Sequence, residues 1–425
     1  MSFSHSSMTW IPFLFRLLLI PCSLEPTLEL PEPSDMAESY YLSGNLIWVF
    51  ATLWGFFVPA LFLFSGLSAK LRKFATDRTQ NWLASFALYF LGFWIFLNVL
   101  DLPLNYFAGY VREHVYLLSE QTFGKWLADH LKGFVIGGFL TLLSLSVPYW
   151  LIRRAPRGWW LITGILAIPY FFLLLMITPI WIEPLFNHFG PMQNKALEKK
   201  IVQLAERAGI EADKVFEVNK SVDTKKMNAY ATGFLGTKRI VLWDTLLARL
   251  TDDEVLSVMG HEMGHFVLHH VAQGILVYSL LTLLCLYFIH WASGPLLARY
   301  GEKFGFHSIG DFASLPLLML LLQFFSFVVT PPGLAFSRHL EHEADRFGLE
   351  LTRDNYSAMS AEVKFIAKDL AYPWPNRWIK WLRSSHPPAG ERFNFYLHYR
   401  PWEQGKPLRY SSYFHGSVES PSASP

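Results

Sequence analysis

The chain has 425 residues, of which 52% are hydrophobic and 17% aromatic, whereas only 16% are charged. An ordinary soluble domain of this size does not need so much apolar surface, so the composition favours an integral membrane protein. The net charge of +2, without any basic run, argues against nucleic acid as a partner.

The N-terminal segment has an apolar run from Trp10 to Ile20, which is interrupted by Arg16 and followed by Pro21 and Cys22. Such a run is compatible with a cleaved signal peptide or with an additional first span, and the sequence does not separate the two. Cys22 lies in this leader, and Cys285, the other cysteine, lies in an apolar span. We therefore expect no disulfide framework and no cysteine-rich metal site.

Six further apolar runs are long enough to cross a bilayer. A buried helix of a soluble protein rarely keeps about twenty residues free of Asp, Glu, Lys and Arg, as these runs do. They are Leu46 to Leu67, Trp82 to Leu100, Phe134 to Ile152, Trp159 to Ile182, Ala272 to Leu297 and Phe312 to Phe336. The sequence therefore predicts a mainly α-helical, polytopic membrane protein with six to seven spans.

Between the fourth and fifth of these runs lies a soluble piece, residues 183–260, that is predicted to contain a helix and a small sheet. The helix has apolar residues at helical spacing and stops at Gly209. A strand at residues 215–218 and a hairpin at residues 227–243 follow. The exposed sheet edge can bind an extended peptide through main-chain hydrogen bonds, or the hairpin can be ordinary scaffold, and both interpretations stay open.

The pentapeptide from His261 to His265, with Glu262 second, predicts a metal site on a helix. Positions i and i+4 of an α-helix lie on one face, so both imidazoles can reach one ion while Glu262 stands beside them. Thr251 and Glu254 form a capping-box pattern that starts this helix ten residues before His261. An accidental match is the alternative, but a second acidic motif further along the chain argues against it.

A catalytic zinc ion needs a third protein ligand and one open position for water. In one zinc-protease pattern this ligand is a histidine ten residues after the first, but here that position is Val271. Glu341 is the best candidate, because it opens Glu-x-x-Ala-Asp on a predicted helix where Asp345 can orient a ligand histidine. His342 and Glu343 are nearby substitutes that point away from Glu341.

The sequence therefore predicts one Zn²⁺ per chain, held by His261, His265 and Glu341, with Glu262 as the general base that takes a proton from the attacking water. Seventy-six residues separate His265 from Glu341, and they contain two span-length runs, so the chain crosses the membrane and returns. Both motifs are thus expected on the same side of the membrane.

The motifs and the spans together divide the chain into six expected parts. The parts are a leader or first span with an acidic segment (1–44), four spans (45–182), a metalloprotease domain (183–270), a membrane hairpin (271–336), a C-terminal catalytic part with the third zinc ligand (337–408) and a disordered tail (409–425).

Three other histidines lie near these motifs. His386 precedes two prolines and, from the residues alone, is more typical of a loop than of a catalytic site. His269 and His270 lie one to two turns beyond His265, near the start of a span, and are expected at the membrane interface or behind the ligands.

In combination these motifs resemble those of the membrane-embedded zinc metalloproteases that include the type I CAAX prenyl proteases, with the heat-shock membrane proteases as more distant relatives. The resemblance covers about residues 40–400, and the set is more specific than the zinc motif alone. It is carried by His261 to His265, Glu341 to Asp345, Asn228-Ala229-Tyr230 before Gly233-Phe234, Lys238 to Leu242 before Asp244 to Leu247, and Ser385 to Pro388 with Glu391-Arg392.

The resemblance implies a barrel of membrane helices that encloses a chamber, with a zincin-like α+β catalytic domain and its zinc site at the mouth. It further implies that the sheet edge from Asn228 to Gly233, including Ala229 and Tyr230, aligns the substrate. His386 is then expected to stabilise the oxyanion, and Arg392 to hold His386 or a substrate carboxylate.

The expected substrates are peptides or proteins with a lipid anchor, such as C-terminal Cys-a-a-X sequences that carry an isoprenyl group. General turnover of membrane proteins is the alternative. A transporter is a more distant one, because the spans contain few charges and the charged constellation lies outside them. An inactive scaffold would lack the base or a ligand, and neither is missing.

The side of the membrane on which the zinc site lies stays open. Loops rich in basic residues are normally cytoplasmic, and here they are residues 70–78, 153–157 and 299–303, which puts the zinc domain outside. The family resemblance puts it on the cytosolic side, in a bacterial inner membrane or an endoplasmic reticulum.

Overall fold

The computed structural model describes residues 28–211, 215–232 and 239–415. These residues are mainly helical. The helices are α1 Asp35–Phe64, α2 Leu67–Arg78, α3 Trp82–Tyr106, α4 Arg112–Val115, α5 Phe123–Arg154, α6 Trp159–Ile177, α7 Lys195–Arg207, α8 Asp244–Leu247, α9 Asp252–Val267, α10 His270–Phe304, α11 Leu315–Thr352, α12 Asn355–Asp369, α13 Arg377–Arg383 and α14 Ala389–His398.

Six of these helical segments are long and apolar enough to cross a membrane, so the six predicted spans are confirmed. These segments contain α1, α3, α5, α6, α10 and α11. In the most apolar stretch of each segment, at most 39% of the residues are buried inside the protein. Helices packed in a solid bundle would bury more, so this exposure is typical of helices that face lipid or an open interior. The first apolar run, Trp10 to Ile20, lies outside the described residues.

The small sheet has four strands, which are β1 Phe189–Pro191, β2 Val215–Val218, β3 Ala229–Thr232 and β4 Arg239–Trp243. Their order across the sheet is β1-β2-β4-β3. The predicted hairpin is confirmed, because β3 pairs antiparallel with β4. Helix α7 packs its predicted apolar face into the core, where Ile201 belongs to the same buried cluster as Met259 of α9 and Phe347 of α11. Strand β3 thus lies at the edge of the sheet that faces α9.

Helix α9 begins with the predicted capping box, in which the Thr251 side chain accepts a hydrogen bond from the Glu254 backbone and the Glu254 side chain accepts one from Thr251. Helix α11 runs without a break through the expected boundary between residues 336 and 337, so one helix carries both the last span and the acidic motif. The membrane span therefore holds the third candidate ligand in place directly.

Glycines let α9 and α11 approach each other closely. A Cβ atom on Gly348 would lie 2.8 Å from the backbone nitrogen of His261, and one on Gly264 would lie 3.1 Å from Ala344 Cα. Real Cβ atoms do not come within 3.0 Å of a backbone atom, so a side chain at position 348 would push the helices apart. This contact brings the two motifs together.

Candidate metal centre and active site

Three candidate ligands converge where α9 meets α11. The Nε2 atoms of His261 and His265 lie 3.1 Å apart. Glu341 places Oε2 at 3.3 Å from His261 Nε2 and Oε1 at 3.5 Å from His265 Nε2. One nitrogen or oxygen atom from each residue lies within 4.8 Å of the other two, so the three can hold a metal ion.

The donor set fits zinc. Ligand atoms about 2.0–2.2 Å from a tetrahedral ion are separated by about 3.3–3.6 Å. The observed separations of 3.1, 3.3 and 3.5 Å are close to this range. Glu341 Oε2 is buried and accepts no hydrogen bond of normal geometry from the described residues. A buried carboxylate oxygen in this state costs free energy unless a cation lies beside it. Two imidazoles and one carboxylate are a ligand set that zinc prefers.

Asp345 holds His261 from behind. Its Oδ1 lies 2.8 Å from His261 Nδ1, so the opposite ring nitrogen, Nε2, faces the metal position. Asp345 also accepts hydrogen bonds from Arg392 Nε at 3.0 Å, Arg392 Nη2 at 2.7 Å and the Tyr396 hydroxyl at 2.6 Å. Burial alone would lower the pKa of His261, but Asp345 and Glu341 raise that pKa to about 10. The centre therefore favours positive charge.

Arg392 lines the same centre and is paired with two carboxylates. Its guanidinium contacts Asp345 and, through Nη1, Glu362 Oε2 at 3.2 Å. These partners compete with a substrate carboxylate for its charge, and the predicted role in substrate binding stays a prediction. Tyr396 and Glu362 were not singled out by the sequence, although both contact this network.

His270 holds the second histidine. Its Nδ1 lies 3.0 Å from His265 Nδ1, so His265 also has its outer nitrogen occupied and its Nε2 directed at the metal position. His270 is only 6% exposed, whereas His269 is exposed at the turn between α9 and α10. The sequence left open whether His269 and His270 lie at the membrane interface or behind the ligands. In the structure, His270 lies behind the candidate ligand His265.

Glu262 follows His261 but does not belong to the ligand group. Burial raises the pKa of its carboxyl, while the two neighbouring imidazoles and a hydrogen bond from the Ala231 backbone act in the opposite direction. A carboxylate fixed beside the metal position by a strand edge has the placement that a general base needs.

His386 approaches the same centre from the loop between α13 and α14. Its Nε2 lies 3.2 Å from Glu341 Oε2, and its Nδ1 lies 2.9 Å from Ser385 Oγ. The side chain is 59% exposed, so this ring can turn toward a bound peptide. The loop position expected from the two prolines and the site position expected from the resemblance are therefore compatible.

The edge of strand β3 faces this centre. The backbone oxygen of Asn228 accepts a hydrogen bond from Trp243 N at 3.1 Å, so Asn228 belongs to a hydrogen-bonded pair of the ladder. Such pairs alternate along an antiparallel ladder. The backbone groups of Ala229 and Ala231 therefore point away from β4, toward the outer edge of the sheet. Contact between Tyr230 and the substrate stays a prediction. Its backbone belongs to the ladder, and its hydroxyl donates to Glu183 Oε2 at 2.8 Å. Gly233 lies outside the described residues.

A cavity of about 230 Å³ joins these elements. Its lining includes Asn228 and Ala229 from the sheet edge, His261 and Glu262 from α9, and His386 from the opposite loop. The exposed Asn228 side chain accepts from the Ala229 backbone through Oδ1, so its amide group is left to donate. An extended peptide placed along the edge would pass between Glu262 and His386.

Known proteins support this arrangement at the level of sequence. The sequence profile of peptidase family M48 matches residues 191–399, and the profile "CAAX prenyl protease N-terminal, five membrane helices" matches residues 20–188. The uncharacterized metalloprotease YhfN of Bacillus subtilis is 36% identical, with 90% of this chain and 91% of YhfN covered. The CAAX prenyl protease 1 homolog of Dictyostelium discoideum is 32% identical, with 75% of each chain covered.

A solved structure supports the fold. The crystal structure of S. mikatae Ste24p matches with a TM-score of 0.72 and 23% identity, covering 84% of this chain and 87% of the other. The match covers most of both chains, so the two share one fold.

Proposed function

Because this chain belongs to peptidase family M48 and is a multi-pass membrane metalloprotease, we propose that it hydrolyses peptide bonds with one zinc ion held by His261, His265 and Glu341. The proposal rests above all on the close approach of these three ligand groups, whose nitrogen and oxygen atoms lie 3.1–3.5 Å from one another. When bound, zinc acts as a Lewis acid that polarises the carbonyl and lowers the pKa of water to about 7.

The protein's own groups carry the proton and hold the peptide. Glu262 takes the proton from the attacking water and passes it to the leaving amine nitrogen. His386 Nε2 donates a hydrogen bond to the oxygen that becomes negative, and Asn228 hydrogen-bonds the peptide along the edge of β3. Asp345, supported by Arg392, keeps His261 in the orientation that binds metal.

We propose that the substrates carry a lipid anchor. An apolar cavity of about 510 Å³ lies between α5, α10 and α11, and its lining follows α11 from Leu315 to Leu334. Glu341 follows Leu334 by seven residues, or about 10 Å of helix, so a chain in this cavity would end near the zinc ligands. The sequence predicts separate membrane and catalytic parts of the chain, and this arrangement suits the cleavage of a substrate with a lipid anchor.

A matched pair of peptides tests the substrate proposal. We expect an isoprenylated Cys-a-a-X peptide to be cleaved with a kcat/KM at least about tenfold above that of its unmodified twin, because the anchored tail positions the peptide. Both activities should disappear with a zinc chelator. Equal kcat/KM for the two peptides would reject the isoprenyl preference and favour general turnover of membrane proteins.

His386→Ala is expected to remove about 3 kcal/mol of transition-state stabilisation and so to lower kcat by about two orders of magnitude, the usual effect of removing one oxyanion donor. Zinc should stay bound. Asn228→Ala should instead lower kcat/KM through weaker binding. Steady-state kinetics together with zinc analysis separate the two. If His386→Ala loses zinc and keeps kcat in the remaining holoenzyme, His386 is a ligand and not the oxyanion donor.

A further inference from the structure

A second, polar recess of about 410 Å³ lies beside the active-site cavity. It is formed by α11, α13 and α14 and by the loop that carries His386. Its polar lining includes Arg338, His342, Lys380, Glu391 and Arg392. Arg392 lines both spaces, and Pro387 of the recess directly follows His386, so the two are neighbours.

The charges around the recess leave one cation without a counter-ion. Lys380 Nζ lies 2.6 Å from Glu391 Oε1, and Arg392 is paired with two carboxylates. Arg338 forms no ion pair with any residue that the structure describes. The recess therefore carries a net positive charge, because Glu391 is the direct partner of Lys380 and attracts Arg338 without forming an ion pair with it.

The guanidinium of Arg338 is oriented but not saturated. Nη1 donates to the backbone oxygens of Lys380 at 3.1 Å and Ser384 at 2.7 Å, which fixes the plane of the group. The edge formed by Nε and Nη2 donates to no residue in the described ranges. This edge is the one that binds a carboxylate with two parallel hydrogen bonds.

Arg338 precedes Glu341 by three residues on α11, so the two side chains start on neighbouring positions of one helix face, with Cβ atoms about 5–6 Å apart. We propose that the recess is a carboxylate-binding subsite, in which the Nε and Nη2 edge of Arg338 binds the C-terminal carboxylate of a peptide cleaved within a few residues of its end. The inference rests on the proposed peptidase function and adds a specificity-determining residue, Arg338, to it.

Three peptides that share a sequence and a lipid anchor test this subsite. One has a free C-terminal carboxylate, the second a C-terminal amide, and the third the amide with Glu as its last residue. We expect the zinc-loaded full chain to prefer the free acid over the amide by a factor on the order of 30 in kcat/KM. Arg338→Gln should bring this ratio close to one by slowing only the acid, and Arg338→Lys should keep part of it.

Arg377→Gln is the matched control, because it removes one positive charge from an exposed position of α13 and should leave the ratio unchanged. Faster cleavage of the Glu-terminated amide than of the plain amide would show that a side-chain carboxylate can use the same subsite. Equal rates for acid and amide in the unchanged protein would overturn the inference while the peptidase function stands. A proportional loss for both peptides in Arg338→Gln would overturn it too, leaving Arg338 as a support of the Ser384 loop. If no peptide is cleaved, the proposed function itself fails.

Discussion

Replacing Glu262 with Gln is expected to lower kcat by about two to four orders of magnitude while zinc stays bound. Gln has the same shape and can still accept the hydrogen bond from the Ala231 backbone, but it cannot take a proton from water. General-base catalysis contributes about 10²–10⁴ to the rate of many enzymes, which sets the size of the effect. Glu262 lies outside the ligand group, so the metal should not depend on it.

Single-turnover kinetics at saturating peptide, together with elemental analysis of the same sample, measure both quantities. Glu206→Gln provides the control, because it makes the same charge change at an exposed position of α7. Near-normal turnover in Glu262→Gln would remove Glu262 from the mechanism. Loss of zinc along with activity would instead move Glu262 into the metal site.

The parts of the site that the sequence predicted depend on local periodicity. The two histidines four residues apart, the capping box before them and the spans each follow from the geometry of a single helix. The hairpin follows from the alternation of two short segments around a turn. In the structure these features have the form that local geometry predicts.

The supporting network was not predictable in the same way. Glu362 comes from α12, and only tertiary packing brings it to Arg392, the partner of Asp345. His270 was expected either at the membrane interface or behind the ligands, and the turn between α9 and α10 brings its ring to His265. Tyr396 had a weak signal, since it follows Arg392 by four residues, the spacing at which two side chains of a helix such as α14 are neighbours. Nothing near Glu362 in the sequence distinguishes it from a surface glutamate.

The close approach of α9 and α11 did have a readable signal. Gly260 and Gly264 stand four residues apart on α9, opposite Ala344 and Gly348 on α11. Small residues at this spacing let two helix backbones meet. The continuity of α11 was missed because charged residues begin at Arg338, which marks the end of the apolar run but does not end a helix.

The double replacement of His261 and His265 with Ala is expected to reduce zinc from about one ion per chain to almost none. Glu341 alone would remain, and a single carboxylate does not hold Zn²⁺ in competition with water. Glu341→Gln should be milder, because two imidazoles stay while the neutral amide is a weaker ligand. The change is measured by elemental analysis of the purified protein.

Thermal unfolding gives a second, independent measure of the same site. A metal that binds only the folded protein stabilises it by RT ln(1 + [Zn]/Kd), so added zinc should raise the Tm of the unchanged protein. The ion would add a link between α9 and α11, and the double variant cannot form this link, so it should show no zinc-dependent shift. His269→Asn is the control, because His269 is exposed, has a φ of 55° that Asn tolerates, and lies outside the ligand group. Stoichiometric zinc in the double variant would reject this metal site, since the ion would then be held without either histidine.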